Sequence, residues 1–154
     1  MPRAFACYHT QGFTQTIRKR GTPMPQTPLS LQEAKLKNPL ALAFLGDTVW
    51  DLFTRRRLLE SRAQVNALHR QAVAQVNAGA QALAAARVEG LLTPEEAEIF
   101  RRGCNAHARH NAPKNQDPVA YSRATGLEAL MGYLYLTGRE ERARELFDIG
   151  AAIP

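Results

Sequence analysis

Residues 126–136, with the sequence GLEALMGYLYL, are apolar around nearly the whole circumference of a helix and yet contain one acid, Glu128. The apolar positions are Leu127, Leu130, Met131, Leu134 and Leu136. A helix that is apolar on all sides is normally buried. Because a lone buried carboxylate is costly, we expect Glu128 to be protonated, to pair with a cation or to bind a metal.

A second apolar segment, residues 40–53 with the sequence LALAFLGDTVWDLF, contains the acid that we expect to lie beside Glu128. At about 100° per residue, its apolar side chains gather on one helical face, while Asp47 and Asp51 share another. The predicted core face consists of Leu42, Leu45, Val49, Leu52 and Phe53. This spacing predicts a helix that holds Asp47 at a fixed place beside a packed core.

Helical periodicity extends over the rest of the chain, and no segment alternates with period two for long enough to form a strand. Thr93, Pro94 and Glu96 form a capping-box signal at the start of one helix. The alanine-rich residues 61–88 form either one long helix or two. The predicted helices span residues 30–37, 39–59, 61–88, 93–110, 119–137 and 139–149. We therefore predict an all-α fold, a bundle of helices with one core.

The charge balance favours a polyanionic partner. The 154 residues have a formal net charge of +6 and a pI near 9.8, which fits nucleic acid better than an acidic small molecule, although an anionic membrane surface also fits. The longest stretch without charged residues, 71–86, is interrupted by Gln and Asn and is a poor membrane span. Two cysteines without a CxxC pattern or a secretory signal lead us to expect a cytoplasmic protein.

Residues 1–29 contain four prolines, no acid and the basic run Arg18, Lys19 and Arg20, which predicts a flexible basic tail before a domain spanning 30–154. The tail fits a nucleic-acid-binding arm, a transit peptide or an extension upstream of a true start at Met24. The sequence does not decide among these.

A second basic cluster runs from the end of the 93–110 helix through the loop that follows and into the start of the 119–137 helix. Its members are Arg101, Arg102, Arg109, Lys114 and Arg123, with His107 and His110 nearby. Concentrated positive charge of this kind is typical of a surface that binds a phosphate backbone. Solvated polar residues and a zinc site formed by Cys104, His107 and His110 are the alternatives, but the zinc site lacks a clear fourth ligand.

Asp47 and Glu128 each stand beside small residues that leave room for an ion and a phosphate: Ala43, Gly46, Ala124, Thr125 and Gly132. Hard cations such as Mg²⁺ take one or two protein carboxylates and fill their other positions with water and substrate phosphate. Each acid could also be an ordinary surface carboxylate. No Ser-His-Asp order, phosphate-binding loop or dinucleotide fingerprint is present, which disfavours acyl transfer and hydride transfer.

These motifs together resemble a known family. ALAFLGDTVWDLF resembles the signature helix of ribonuclease III domains, and LEALMGYLYL resembles their later Glu-containing helix. The order LALAFLGD, RRGCNAHARHNAPKN, the region of Tyr121 and GLEALMGYLYLTG is similar to that of Mini-III ribonucleases, which lack a double-stranded-RNA-binding domain. The resemblance covers about residues 38–147.

The resemblance implies an all-helical endonuclease domain that works as a homodimer and hydrolyses double-stranded RNA with Mg²⁺. For Mini-III ribonucleases it further implies maturation of the large-subunit (23S) ribosomal RNA precursor. Asp47 and Glu128 fall on the catalytic, metal-binding acids. We expect Phe44 and Trp50, which lie off the core face, to supply the dimer interface.

Two positions depart from the pattern of full-length ribonuclease III, and a third departs from the basic motif of Mini-III ribonucleases. Ala43 and Thr125 stand where full-length ribonuclease III has further acids, and the Mini-III branch shares the loss at the first. Cys104 replaces a more usual Arg in the basic motif. The alternatives are a catalytically inactive ribonuclease III-like protein that binds RNA or assists ribosome assembly, and a helical DNA-binding regulator, for which no convincing recognition helix is found.

Overall fold

The computed structural model describes residues 27–106 and 117–152, and within these ranges it contains seven α-helices and no strand. The helices are α1 Leu31–Lys35, α2 Pro39–Leu59, α3 Val65–Gln75, α4 Ala78–Val88, α5 Pro94–Ala106, α6 Pro118–Leu136 and α7 Glu140–Gly150, with a 3-10 turn at Glu89–Leu91. The predicted all-α fold is confirmed.

Helix α6 lies at the centre, with α2, α4 and α5 as its principal neighbours. Most of its residues from Ala124 to Leu134 are buried, as the all-round apolar pattern predicts. The largest apolar cluster joins α2, α4, α5, α6 and α7, and there the Trp50 ring packs edge-on against Phe147 with 4.8 Å between centroids. The core therefore surrounds the helix that carries Glu128.

Helices α2 and α6 touch through their backbones. A Cβ atom at Gly46 would overlap the Glu128 carbonyl oxygen, and one at Gly132 would overlap the carbonyl oxygen of Leu42. No other residue fits at either position without separating the helices. This contact fixes the register of α2 against α6.

The predicted capping box at the start of α5 is confirmed. The Glu96 backbone N–H donates to Thr93 Oγ1 at 3.2 Å, and the Thr93 N–H donates to Glu96 Oε2 at 3.0 Å. The buried Glu96 carboxylate also accepts hydrogen bonds from Arg142 of α7. Burial raises the pKa of Glu96, but the bonds from Arg142 and Thr93 outweigh it and lower the pKa overall.

Several sequence expectations are refined or corrected. Residues 61–88 form two helices, because Asn77 interrupts them and caps α4 by accepting from the Ala80 N–H at 3.0 Å. Trp50 is expected from the sequence to lie at the dimer interface, but it is only 2% exposed because α7 covers it. Leu52, predicted on the core face, is instead exposed. Phe44, predicted to lie off the core face, is 82% exposed.

Two predicted segments lie partly outside the described residues: the tail 1–29, of which only 27–29 are described, and the end of the 93–110 helix beyond Ala106. The Leu29 N–H donates to the Leu136 carbonyl at 2.8 Å, so residue 29 is attached to the end of α6. In the described part of the chain, no helix is long and apolar enough to cross a membrane.

Replacing Gly46 by Ala should lower the free energy of unfolding by about 1–3 kcal/mol or more, because the new methyl group forces α2 away from α6. Gly90→Ala is the matched control, since a Cβ there meets nothing within 4 Å, and it should leave stability unchanged or raise it by up to about 1 kcal/mol. Urea denaturation of both variants tests this, and equal stabilities would contradict the backbone contact.

Candidate active site

The backbone contact between α2 and α6 brings the two predicted acids into electrostatic contact. Asp47 follows Gly46 directly and is exposed, whereas Glu128 is half-buried at the position that meets Gly46. The pKa of Glu128 is raised from 4.5 to about 7, first because burial disfavours its charge and then because Asp47 places a second negative charge nearby. The expected pairing of Asp47 with Glu128 is therefore present.

A third polar side chain, Gln81 of α4, faces the Glu128 carboxylate and acts on it in the opposite direction, lowering its pKa. Gln81 is 2% exposed, and its buried Nε2 has no acceptor at hydrogen-bonding distance and angle among the described residues. The sequence analysis did not single out this residue. A signal was present, because Gln81 shares one helical face with the buried Ala84, Ala85 and Val88, where a polar residue is unusual.

The two positions that depart from the wider family add no acid to the site. Ala43 is a buried core residue, and the buried Thr125 donates its hydroxyl to the Tyr121 carbonyl one turn earlier at 3.0 Å. Over residues 27–106 and 117–152, no group of three or more His, Cys, Asp or Glu side chains is placed to hold a metal ion. The site is thus a pair of carboxylates beside one amide.

This donor set fits a hard divalent cation. Such ions accept one or two protein carboxylates and keep several water ligands, and an exposed Asp47 leaves one side open for them. Burial raises the pKa of Glu128 and the charge of Asp47 raises it further, and a cation bound between the acids would relieve the repulsion between them. Asp47 and Glu128 are the residues that could hold it.

The predicted RNA-binding residues differ in their surroundings. Arg101 of α5 is exposed. Arg102 donates to the carbonyls of Lys35 at 2.6 Å and Lys37 at 3.0 Å, and so holds the end of α1. Arg123 of α6 forms an ion pair with Glu89 at 2.6 Å. The remaining members of the basic cluster, Arg109 and Lys114 with His107 and His110, lie outside the described residues.

The side chain of Cys104 packs against helix α6. Its Sγ lies against Gly126, where a Cβ atom would overlap the sulfur, and burial raises the pKa of the thiol. A raised thiol pKa disfavours the thiolate that a metal ligand requires. Of the predicted zinc ligands, only Cys104 lies in the described part of the chain.

The arrangement of the helices is that of a ribonuclease III domain. A crystal structure of a protein from Fusobacterium nucleatum superposes with a TM-score of 0.69 at 31% identity, covering 76% of this chain and 93% of that one. The sequence profile of the ribonuclease III domain matches residues 40–139.

Curated relatives agree with the structural comparison. Mini-ribonuclease 3 of Symbiobacterium thermophilum is 47% identical over 114 residues, 73% of this chain and 87% of the relative. Mini-ribonuclease 3 of a Thermoanaerobacter species is 40% identical over 132 residues, 84% of this chain and 92% of the relative. The chain belongs to the ribonuclease III family, and it is an endoribonuclease.

The raised pKa of Glu128 predicts a pH-dependent stability. Below pH 4.5 Glu128 is protonated in both the folded and the unfolded state, so its stabilising contribution is fully present. That contribution is lost as the pH rises through the folded pKa of about 7, because the folded protein must then hold a buried charge. Relative to wild type in chelator, Glu128→Gln should gain on the order of 2–3 kcal/mol between pH 4 and pH 8.

Urea denaturation at the two pH values measures this difference, and Asp47→Asn is the control variant. Removing the Asp47 charge should reduce, but not abolish, the pH dependence, because burial is the larger cause. A stability difference between wild type and Glu128→Gln that is the same at both pH values would contradict the site electrostatics.

Proposed function

We propose that this protein uses Asp47 and Glu128 to hold Mg²⁺ and hydrolyses double-stranded RNA, with the large-subunit (23S) ribosomal RNA precursor as its substrate. The observation that carries the proposal is the placement of the two acids on facing helices with a backbone contact between them. Divalent-metal dependence and action on double-stranded RNA are general in the ribonuclease III family. The proposed catalytic domain spans residues 30–154, preceded by the basic tail 1–29.

The two acids have different tasks in this proposal. Asp47 is exposed and presents its carboxylate to incoming RNA, while Glu128 anchors the site from the buried helix. When bound, Mg²⁺ supplies a Lewis acid that activates water and stabilises the charge developing on the phosphate. Two bare carboxylates would repel a phosphate, so the acids fit a nuclease only together with a cation.

The basic cluster supports RNA as the partner. Among the described residues, Arg101 is the one that we expect to contact RNA most directly. It is exposed, and within the described part of the chain no hydrogen bond or ion pair of its guanidinium is seen. Arg123 lies on α6, five residues before Glu128, and its exposed ion pair with Glu89 could exchange for a phosphate. Arg109, Lys114 and Arg102 complete the proposed RNA-binding set, although Arg102 already binds two carbonyls of the α1 region.

A homodimer is part of the proposal. Phe44 is 82% exposed one turn before Asp47 on α2, and a second copy of the chain would cover it close to the site. A two-fold axis would present two sites to the two antiparallel strands of one duplex. We place the enzyme in the cytoplasm, where the thiol of Cys104 stays reduced.

A catalytically inactive RNA-binding or ribosome-assembly protein is the second candidate. Such a protein has no need to keep a buried carboxylate next to a second one, where burial and then the charge of Asp47 raise the pKa of Glu128. The retention and juxtaposition of Asp47 and Glu128 therefore favour cleavage.

Cleavage of a long double-stranded RNA should require Mg²⁺ and stop in chelator. Asp47→Asn and Glu128→Gln should each lower the rate by at least about 10²-fold, as the loss of a preorganised electrostatic group does. Asp51→Asn is the matched control, because Asp51 lies one turn further along the same face of α2 and pairs with Arg55 at 2.7 Å. It should cleave at nearly the wild-type rate. Tight RNA binding without cutting under any divalent metal would favour the binding-protein alternative.

Arg101→Ala and Arg102→Ala separate RNA contact from structural support. Arg101→Ala should weaken RNA binding and reduce the slope of log affinity against log salt by about 1, with unchanged stability. Arg102→Ala should lower the thermal midpoint, because the carbonyls of Lys35 and Lys37 lose their donor. Salt-dependent binding and thermal unfolding of both variants test this, and an unchanged slope for Arg101→Ala removes it from the RNA surface.

A further inference from the structure

Gln81 has an environment that its position in the core does not explain. It lies on the face of α4 that packs against α6, is 2% exposed, and leaves its amide nitrogen buried without a hydrogen bond of full geometry. A buried, unsatisfied amide is destabilising, whereas an apolar side chain of similar size would carry no such penalty. The other buried residues of that face are Ala84, Ala85 and Val88, so packing alone would favour an apolar residue here.

The group that Gln81 faces is the carboxylate of Glu128. The Gln81 side chain lies close enough to this carboxylate to act as a hydrogen-bond donor to it. Two nearby residues cannot take this role. Ala43 has no polar atom, and the hydroxyl of Thr125 is committed to the Tyr121 carbonyl. Among the described side chains, Gln81 is therefore the amide donor that acts on Glu128.

Carboxylates that bind metals are usually oriented by a hydrogen bond from a neighbouring group, and the loss of that group lowers metal affinity. Hydrogen bonds at such sites also tend to reach full geometry only when the site is loaded. An amide suits this place, because it supplies a donor without adding a third negative charge to the pair formed by Asp47 and Glu128.

We propose that Gln81 is a positioning residue of the metal site, donating an amide N–H to the Glu128 carboxylate so that this group stays oriented toward the cation shared with Asp47. This inference rests on the proposed metal-dependent nuclease function. Gln81 itself touches neither RNA nor the reacting phosphate in this account.

Gln81→Met tests the proposal, because Met has similar length and flexibility but no donor. The affinity of the RNA-free protein for Mn²⁺, measured by titration calorimetry, should fall about 10-fold or more. The Mg²⁺ concentration for half-maximal cleavage should rise by a similar factor, while the rate at saturating metal and the KM for RNA stay close to wild type. The thermal midpoint in chelator should not fall, since an unsatisfied buried amide has been removed.

Gln75→Met is the matched control on the neighbouring helix α3. The Gln75 side-chain oxygen accepts from Arg57 at 2.6 Å, so this variant should lose stability and keep the wild-type affinity for Mn²⁺. Gln81→Leu provides a second apolar replacement with the same expected loss of Mn²⁺ affinity, should the Met variant fail to fold.

The outcomes separate this inference from the proposed function. If wild type binds Mn²⁺ and either folded Gln81 variant binds it equally well, the role of Gln81 is overturned and the nuclease proposal stands. A loss of stability in chelator with unchanged Mn²⁺ affinity likewise overturns it, because that result defines a packing role. If wild type neither binds Mn²⁺ nor cleaves RNA, the proposed function and the role of Gln81 fail together.

Discussion

The structure depends on a contact between two helix backbones. Gly46 of α2 meets the Glu128 carbonyl of α6, and Gly132 of α6 meets the Leu42 carbonyl of α2. On each helix, the glycine leaves the space that a backbone carbonyl of the other helix occupies. Backbones can approach this closely only where neither residue has a side chain in the way. The chain places Asp47 directly after one of these glycines and Glu128 one turn before the other. The packing of the core thus also sets the spacing of the two acids.

That arrangement has an electrostatic consequence. Holding Glu128 half-buried next to Asp47 raises its pKa to about 7, so at neutral pH the folded protein carries a charge that its surroundings disfavour. Such strain is common where a site is built for a ligand, and the cation that we propose between the two acids would relieve it. The Trp50, Phe53 and Phe147 cluster and the buried ion pair of Glu96 with Arg142 support the same helices from elsewhere. These contacts add to the stability of the helices that carry the two acids.

Much of this organisation could be predicted from the sequence. The helices, the burial of α6, the capping box of α5 and the pairing of Asp47 with Glu128 all follow from local periodicity, cap residues and the resemblance to one family. Three features could not be predicted, because they depend on how helices dock. Trp50 is buried because α7 closes over it, Arg102 meets the carbonyls at the end of α1, and Gln81 faces Glu128 from a helix far away in sequence. Periodicity assigns a face to a residue but does not identify the residue opposite.

The measurement that tests the central claim most directly is a crystal structure of the protein soaked in Mn²⁺, with anomalous scattering used to locate the ion. The account predicts an anomalous peak within ligand distance of both the Asp47 and Glu128 carboxylates, with the Gln81 amide hydrogen-bonded to Glu128. Glu128→Gln crystals, treated identically, should show a weaker peak or none. A strong Mn²⁺ peak elsewhere in the molecule, with none between the two acids, would contradict the assignment of this pair as the metal site.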